Sequence, residues 1–382
     1  VRRQRQMCIR DRYRKKALKC TKEKIGEMYD LNETLLKSVE AGASDIHLTV
    51  GRAPSYRIDG CLLPLKGERL TPQMMEILLM PILDGRRREE LRQTGQTDFA
   101  YAVSGMGRFR INVFRQRGTL AAVIRNLPYV IPRPEELGLP EEITDLTAKR
   151  RGLILVTGPA GCGKSTTLAS LIQNINQKYA RHIITLENPI EYLHRHDKSI
   201  VNQREIGTDA SDYPQALWAA VRQDPDVIMV GEMNDMDTIS MVLNAAENGH
   251  LVLASLHTTG AENTIERIID VFPPAKQQQI RIQLASVLEC IISQQLIKRT
   301  DGEGRVAAME ILTVNQVIRS LIRDDKTYQL PSVMQSGRKL GMQTMDDALY
   351  ELYISRIITA EETVLYAQDP AGMNKRINFM WM

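Results

Sequence analysis

Between residues 141 and 313 short, unbroken apolar runs alternate with stretches of helical period. The runs are GLILVT (152–157), HIITLE (182–187), DVIMVG (226–231), HLVLASLH (250–257) and RVAAMEIL (305–312). A run that is apolar at nearly every position predicts a strand buried on both faces, and helices between such runs predict a parallel sheet covered on each side. Residues 28–127 read differently. MYDLNETLLKSVEAG predicts an amphipathic helix with Leu31, Leu35, Leu36 and Val39 on one face. SDIHLTVG and SYRIDG alternate as strands, with Asp59–Gly60 as a hairpin turn. TPQMMEILLMPIL and RRREELRQ predict helices; DFAYAV, RFRINVFRQ and LAAVIRNLP predict strands. Helices on one antiparallel sheet make a small α+β domain. Between the two lies 128–140, PYVIPRPEELGLP, a linker whose four prolines should prevent regular structure. From 314 to 382 the period is helical throughout.

The chain has 382 residues and a formal net charge of +4. That charge is unevenly placed. Residues 1–27 carry eleven Lys/Arg against three acidic residues, or +8, and the remainder is −4. A mildly acidic body argues against a general nucleic-acid surface. The basic segment lacks apolar periodicity and opens on RQRQMCIRDR within its first residues, which resembles a translated sequencing-adapter fragment. Residues 1–27 are therefore expected to be a non-native, dispensable tail, with Met28 as the native start; a disordered basic arm is the alternative. The five scattered cysteines form no CxxC pair, which predicts neither a disulfide framework nor a zinc knuckle and fits a reducing compartment.

GPAGCGKS (158–165) fits GxxxxGK[ST], follows an apolar strand and opens a helix. Gly158, Gly161 and Gly163 let backbone N–H groups converge on phosphate oxygens, and the helix N-terminus adds partial positive charge. Lys164 supplies a point charge, Ser165 a hydroxyl for Mg²⁺, and Thr166 continues the site. This places a RecA-like α/β core at 141–313. DVIMVGE ends its strand in Glu232, at the end where such sheets bind ligands. ENPIE puts Glu187 and Glu191 after another strand, where they serve Mg²⁺ or the attacking water, or form a solvated acidic loop. His257 is either a satisfied strand-end residue or a γ-phosphate sensor. Arg108, Arg110, Arg115 and Arg125 are either an ordinary charged strand face or a phosphate clamp.

Taken with ASDIHL (43–48), GRFRINVF (107–114), LENPIEY (186–192), VNQREIG (201–207), DPDVIMVGEM (224–233), GHLVLASLHT (249–258) and GMQTMDDAL (341–349), the chain resembles the type II/IV secretion ATPase superfamily from about Met28 to Pro370. The resemblance implies a PAS-like α+β domain joined to a RecA-like ATPase, six copies in a ring, using ATP and Mg²⁺. It gives Glu191 the role of activating water, Glu232 that of the Walker B acid near Mg²⁺, and His257 a place near the γ-phosphate. Arg110 and Arg125 fall where the family has phosphate-contacting arginines. Two features resemble the pilus-retraction members rather than assembly or type II secretion ATPases. LIKRTDGEGRVAAMEIL carries no tetracysteine insert, and VIRSLIRD (317–324) resembles a retraction signature in which Arg319 and Arg323 share a helix face and could touch a partner. Asn188 and Asn234 depart from the family pattern. The implied partners are further copies of the chain and an inner-membrane pilus platform protein, with pilin reached only indirectly and no nucleic acid. The implied place is the cytoplasmic face of the inner membrane, with membrane contact only through partners. A RecA-like DNA translocase and a nucleotide-binding regulator that does not hydrolyse are the rival classes.

Overall fold

A computed structural model describes residues 30–58, 61–65, 67–103, 107–127, 130–302 and 304–379. The expected tail, the start at Met28, the Asp59–Gly60 turn and Pro128 lie outside these described residues. The chain divides after Tyr129 into two compact units.

The first unit is α+β. Its six strands are β1 (Asp45–Leu48), β2 (Ser55–Ile58), β3 (Cys61–Pro64), β4 (Gln96–Val103), β5 (Gly107–Gln116) and β6 (Thr119–Leu127). They form one antiparallel sheet in the order β3-β2-β1-β6-β5-β4. Along β5 every second residue is buried, Phe109, Ile111 and Val113 among them, because a strand turns alternate side chains to one face. Helices Leu31–Glu40, Pro72–Leu79 and Gly85–Thr94 accompany that sheet, and Leu35, Met75, Leu79 and Leu91 join its core. The first helix does not bury the face its apolar pattern predicts. Leu31, Thr34, Leu35 and Ser38 face inward, while Leu36 and Val39 are exposed. Polar contacts decide the rotation: the Tyr56 hydroxyl donates to the Thr34 carbonyl (2.6 Å), and Ser38 pairs with Asn126 (3.1 Å).

The linker is not free of regular structure. Pro134–Leu137 forms one 3₁₀ turn. Proline is tolerated in a first turn, where its missing N–H has no partner to lose, and Glu136 accepts the Arg133 N–H (3.0 Å).

The second unit holds seven strands: β7 (Gly152–Thr157), β8 (His182–Glu187), β9 (Ile200–Glu205), β10 (Val227–Val230), β11 (Leu251–Leu256), β12 (Leu288–Lys298) and β13 (Arg305–Thr313). Their order is β13-β12-β7-β11-β10-β8-β9, parallel except for the β12–β13 pair. The unbroken apolar runs divide between two cores with period two. Leu153, Leu155, Ile184, Leu186, Ile228 and Val230 pack with one set of helices. Ile154, Val156, Ile183, Val227 and Met229 pack with Glu141–Leu146 and Lys164–Lys178 on the other face. A smaller cluster under the C-terminal helices joins Ile297 and Ala308 to Met345, Leu349 and Met373. Among the described residues no helix is long and apolar enough to cross a membrane.

The helix Gln316–Arg323 buries Ile318 and Ile322, but its two arginines differ in use. Arg319 turns inward and donates to the carbonyls of Ala285 (2.5 Å) and Ser286 (2.8 Å), and to Glu289 (3.1 Å). Those carbonyls belong to the last turn of helix Pro274–Val287, which has no further turn to satisfy them. Lys149 meets the other oxygen of Glu289. Arg323 is exposed, and its guanidinium donates to the Ser320 hydroxyl (3.1 Å). Arg319 is thus a helix cap rather than a surface group free to touch a partner. Arg319→Ala should cost about 2 kcal/mol through the carbonyls and carboxylate it strands, and Arg323→Ala within about 0.5 kcal/mol. Thermal melting of the two chains checks this; equal midpoints would contradict it.

Candidate active site

Parallel strands deliver the loops that follow them to one edge of their sheet, where ligand sites of open α/β sheets form. Here β7, β11, β10 and β8 are neighbours in that order. Segments 158–165, 257–260, 231–234 and 187–191 therefore converge.

The loop after β7 needs its glycines. At Gly158 φ is +139°, and a Cβ would lie 2.3 Å from the Gln294 carbonyl oxygen and 2.6 Å from Cys162 Sγ. Gly163, at φ +96°, caps the helix Lys164–Lys178. Gly161 is exposed at the loop's outer side. Lys164 is buried at the head of this helix, and its Nζ donates to the carbonyls of Gly158 (2.8 Å) and Pro159 (3.1 Å). The same Nζ lies 3.2 Å from His257 Nδ1. An ammonium can only donate, so Nδ1 accepts and the imidazole proton sits on Nε2. Nε2 faces Glu232 Oε1 at 3.3 Å, and the other oxygen of Glu232 accepts from Asn234 Nδ2 (3.1 Å). Three residues from three separate segments thus form one polar chain: Lys164, His257, Glu232.

On the other side of Glu232, a pocket is lined by Ser165, Glu187, Asn188, Glu191 and Tyr213. Ser165 is exposed. Thr166 Oγ1 hydrogen-bonds the Tyr192 hydroxyl (2.8 Å), joining the phosphate-loop helix to the segment that bears Glu191. Glu187 is buried and accepts from the Thr185 hydroxyl (2.6 Å) and from Gln203 Nε2 (3.0 Å). Gln203 also donates to the Tyr192 carbonyl (2.8 Å) and accepts the His194 N–H (2.8 Å). Glu205 accepts the Ile190 N–H (3.2 Å). His194 is pushed down to about 4 by burial, so it stays neutral beside Gln173. Glu191 thus rides on a segment pinned from β9 on one side and from the helix on the other.

Ser165 and Glu232 present a hydroxyl and a carboxylate to one pocket. Mg²⁺ takes such hard oxygen donors, uses few from the protein and keeps waters and phosphate oxygens for the rest. The residues fit that ion.

Arg110 and Arg125 belong to the first unit. Arg110 pairs with Asp98 (3.0 Å), and Arg125 with Asp45 (3.0 Å).

Several residues of the site carried no signal in the sequence. Gln294 of β12 is buried; its Nε2 donates to the Cys162 carbonyl (2.7 Å) and its Oε1 accepts from Thr167 (2.9 Å), so it braces the phosphate loop from the neighbouring strand. Gln203 and Glu205 lay in view within VNQREIG, a polar string on an edge strand, but with no role attached.

The family model described as "Type II/IV secretion system protein" matches residues 22–365. The type IV pilus retraction ATPase PilT of Pseudomonas aeruginosa is 43% identical over 341 residues, covering 89% of this chain and 99% of that protein. A twitching motility protein of Neisseria gonorrhoeae is 41% identical over 321 residues, covering 84% and 86%. The crystal structure of the pilus retraction motor PilT with bound ADP superposes with a TM-score of 0.86 at 47% identity, covering 91% of this chain and 99% of that one. The RecA-like reading of the fold holds.

Gln294→Leu would leave the Cys162 carbonyl and the Thr167 hydroxyl without their shared partner. The expected cost is about 1–3 kcal/mol, read as a melting midpoint lower by roughly 3–10 °C. An unchanged midpoint would show that the loop holds its shape without this brace.

Proposed function

The chain belongs to the type II/IV secretion system protein family, and on that premise we propose that it is the ATP-hydrolysing motor of type IV pilus retraction. The observation that carries this is the convergence of Lys164, His257 and Glu232 beside the glycine loop. Retraction is favoured over pilus assembly or type II secretion by its retraction-ATPase relatives and by the cysteine-free connection between β12 and β13.

The reaction is ATP + H₂O → ADP + phosphate. Lys164 and the loop N–H groups bind the phosphate charge. Ser165 and Glu232 would hold Mg²⁺, which when bound neutralises charge on the β- and γ-phosphates. Glu191 orients the water that attacks the γ-phosphorus and takes its proton as the bond to the leaving oxygen breaks. His257 meets the γ-phosphate once Lys164 has turned from it to the nucleotide. Arg110 and Arg125, each already paired with a carboxylate in its own unit, are the candidates for further phosphate contacts. Six copies form a ring that works at the cytoplasmic face of the inner membrane. It acts on a membrane platform protein, and on pilin only through it.

Lys164→Ala should lose most nucleotide affinity, whereas Glu191→Gln should bind ATP normally and turn it over at least tenfold more slowly, because an amide cannot act as a base. Isothermal titration and phosphate-release rates separate the two effects; full hydrolysis by the Lys164→Ala chain would refute the site. Light scattering should give a mass six times that of the chain, and a monomer at every nucleotide condition would contradict the ring.

A further inference from the structure

Tyr213 opens the helix Tyr213–Ala220, which Asp212 caps by accepting the Gln215 N–H (2.8 Å). Its ring packs beside the larger core of the second unit. Its hydroxyl passes beyond that core to the edge where β8 and β10 end, and a Cβ built on Gly231 would lie 3.0 Å from it. There it meets the pocket of Ser165, Glu187, Glu191 and Glu232. The oxygen is closed to solvent, and no described residue accepts the phenolic proton. The Glu232 backbone N–H faces the oxygen, and a bond from it would still leave the O–H unused. Burial, then the charges of Glu232 and Glu187, raise the phenol's ionisation above its ordinary range. A tyrosine phenol carries its proton near neutral pH, so the oxygen has an O–H to donate.

A buried hydroxyl without an acceptor is destabilising, and an equally shaped ring without the oxygen is not. Such a group at a site wall points to an acceptor that arrives in the working state. The Glu232 carboxylate is the candidate. In the structure it is held toward His257, and His257 is held by Lys164. When phosphate draws Lys164 away, that chain opens and Glu232 is released toward the pocket. We propose that Tyr213 is a positioning residue of the ATPase site, its O–H donating to the Glu232 carboxylate once nucleotide has broken the Lys164–His257–Glu232 chain. The inference rests on the ATPase reading above. The orphan hydroxyl is then a stability penalty in the free protein and a hydrogen bond in the loaded one.

The test is Tyr213→Phe in the full-length chain, with Mg²⁺ and ATP. The kcat should fall about tenfold, equivalent to about 1.4 kcal/mol, with KM for ATP within about twofold. The melting midpoint of the nucleotide-free chain should stay level or rise, since an unpaired buried hydroxyl has been removed. In a Glu232→Gln background the same change should have no further effect on the residual rate, because residues acting as a unit are not additive. Unchanged kcat overturns the inference. So does a fall in kcat accompanied by a lower midpoint, which would make the hydroxyl structural, and so does an additive loss in the double variant. If the parent chain shows no Lys164-dependent hydrolysis, the ATPase reading itself fails; full activity in the Phe chain fails this inference alone.

Discussion

A buried ammonium must be met by acceptors, and Lys164 is buried in the worst place for a cation. It heads the helix Lys164–Lys178, where the aligned peptide dipoles already put positive potential. Two carbonyls of its own loop and the Nδ1 of His257 hold it there. Those acceptors are neutral, so they offset the burial only in part. Phosphate is a better partner on every count. It brings negative charge to the helix terminus, to the loop N–H groups and to the ammonium together. The site gains most from an anion.

The rest of the second unit serves to keep that arrangement in place. The glycine loop can fold back only because Gly158 lies against the Gln294 carbonyl with no Cβ between them, and Gln294 then braces the loop through Cys162 and Thr167. His257 is fixed at the end of β11, and the segment after it is tied down from β12 and β13. Ser293 accepts the Gly260 N–H (2.8 Å), and Glu310 accepts the Ala261 N–H (2.6 Å). Glu310 is buried, and burial holds its carboxyl pKa above the ordinary range; its other oxygen accepts from Gln368 (2.7 Å) and the Met345 N–H (3.4 Å). One carboxylate therefore joins the loop beyond His257 to the C-terminal helices.

The fold was legible where periodicity was strong. The apolar runs that became β7, β10 and β11 are buried at every position, β8 at all but His182, and the edge strand β13 from Ala308 to Leu312. Strands β9 and β12 were not legible. The first is an edge strand of polar residues, IVNQRE, with only one side to bury. The second follows helix Pro274–Val287 with no glycine or proline between, and its glutamines interrupt the apolar run at the point where Gln294 holds the phosphate loop. The site shows the same division. Glycine, lysine and serine at fixed spacing report a phosphate loop because backbone geometry demands them. Gln203 and Gln294 act through contacts between segments that are distant in the chain, and no local spacing encodes those. The exposed Leu36 and Val39 mark the opposite failure, where an apolar pattern was overruled by the hydrogen bonds of Tyr56 and Ser38.

The central claim is that Lys164 is parked on its own loop and released by nucleotide. A structure of the full chain with Mg²⁺, ADP and beryllium fluoride tests it most directly. The account predicts the phosphates in the loop 158–165, Lys164 Nζ on phosphate oxygens and no longer on the Gly158 and Pro159 carbonyls, and His257 parted from Lys164. Nucleotide bound there with Lys164 still hydrogen-bonded to its own loop, or nucleotide bound elsewhere, would contradict it.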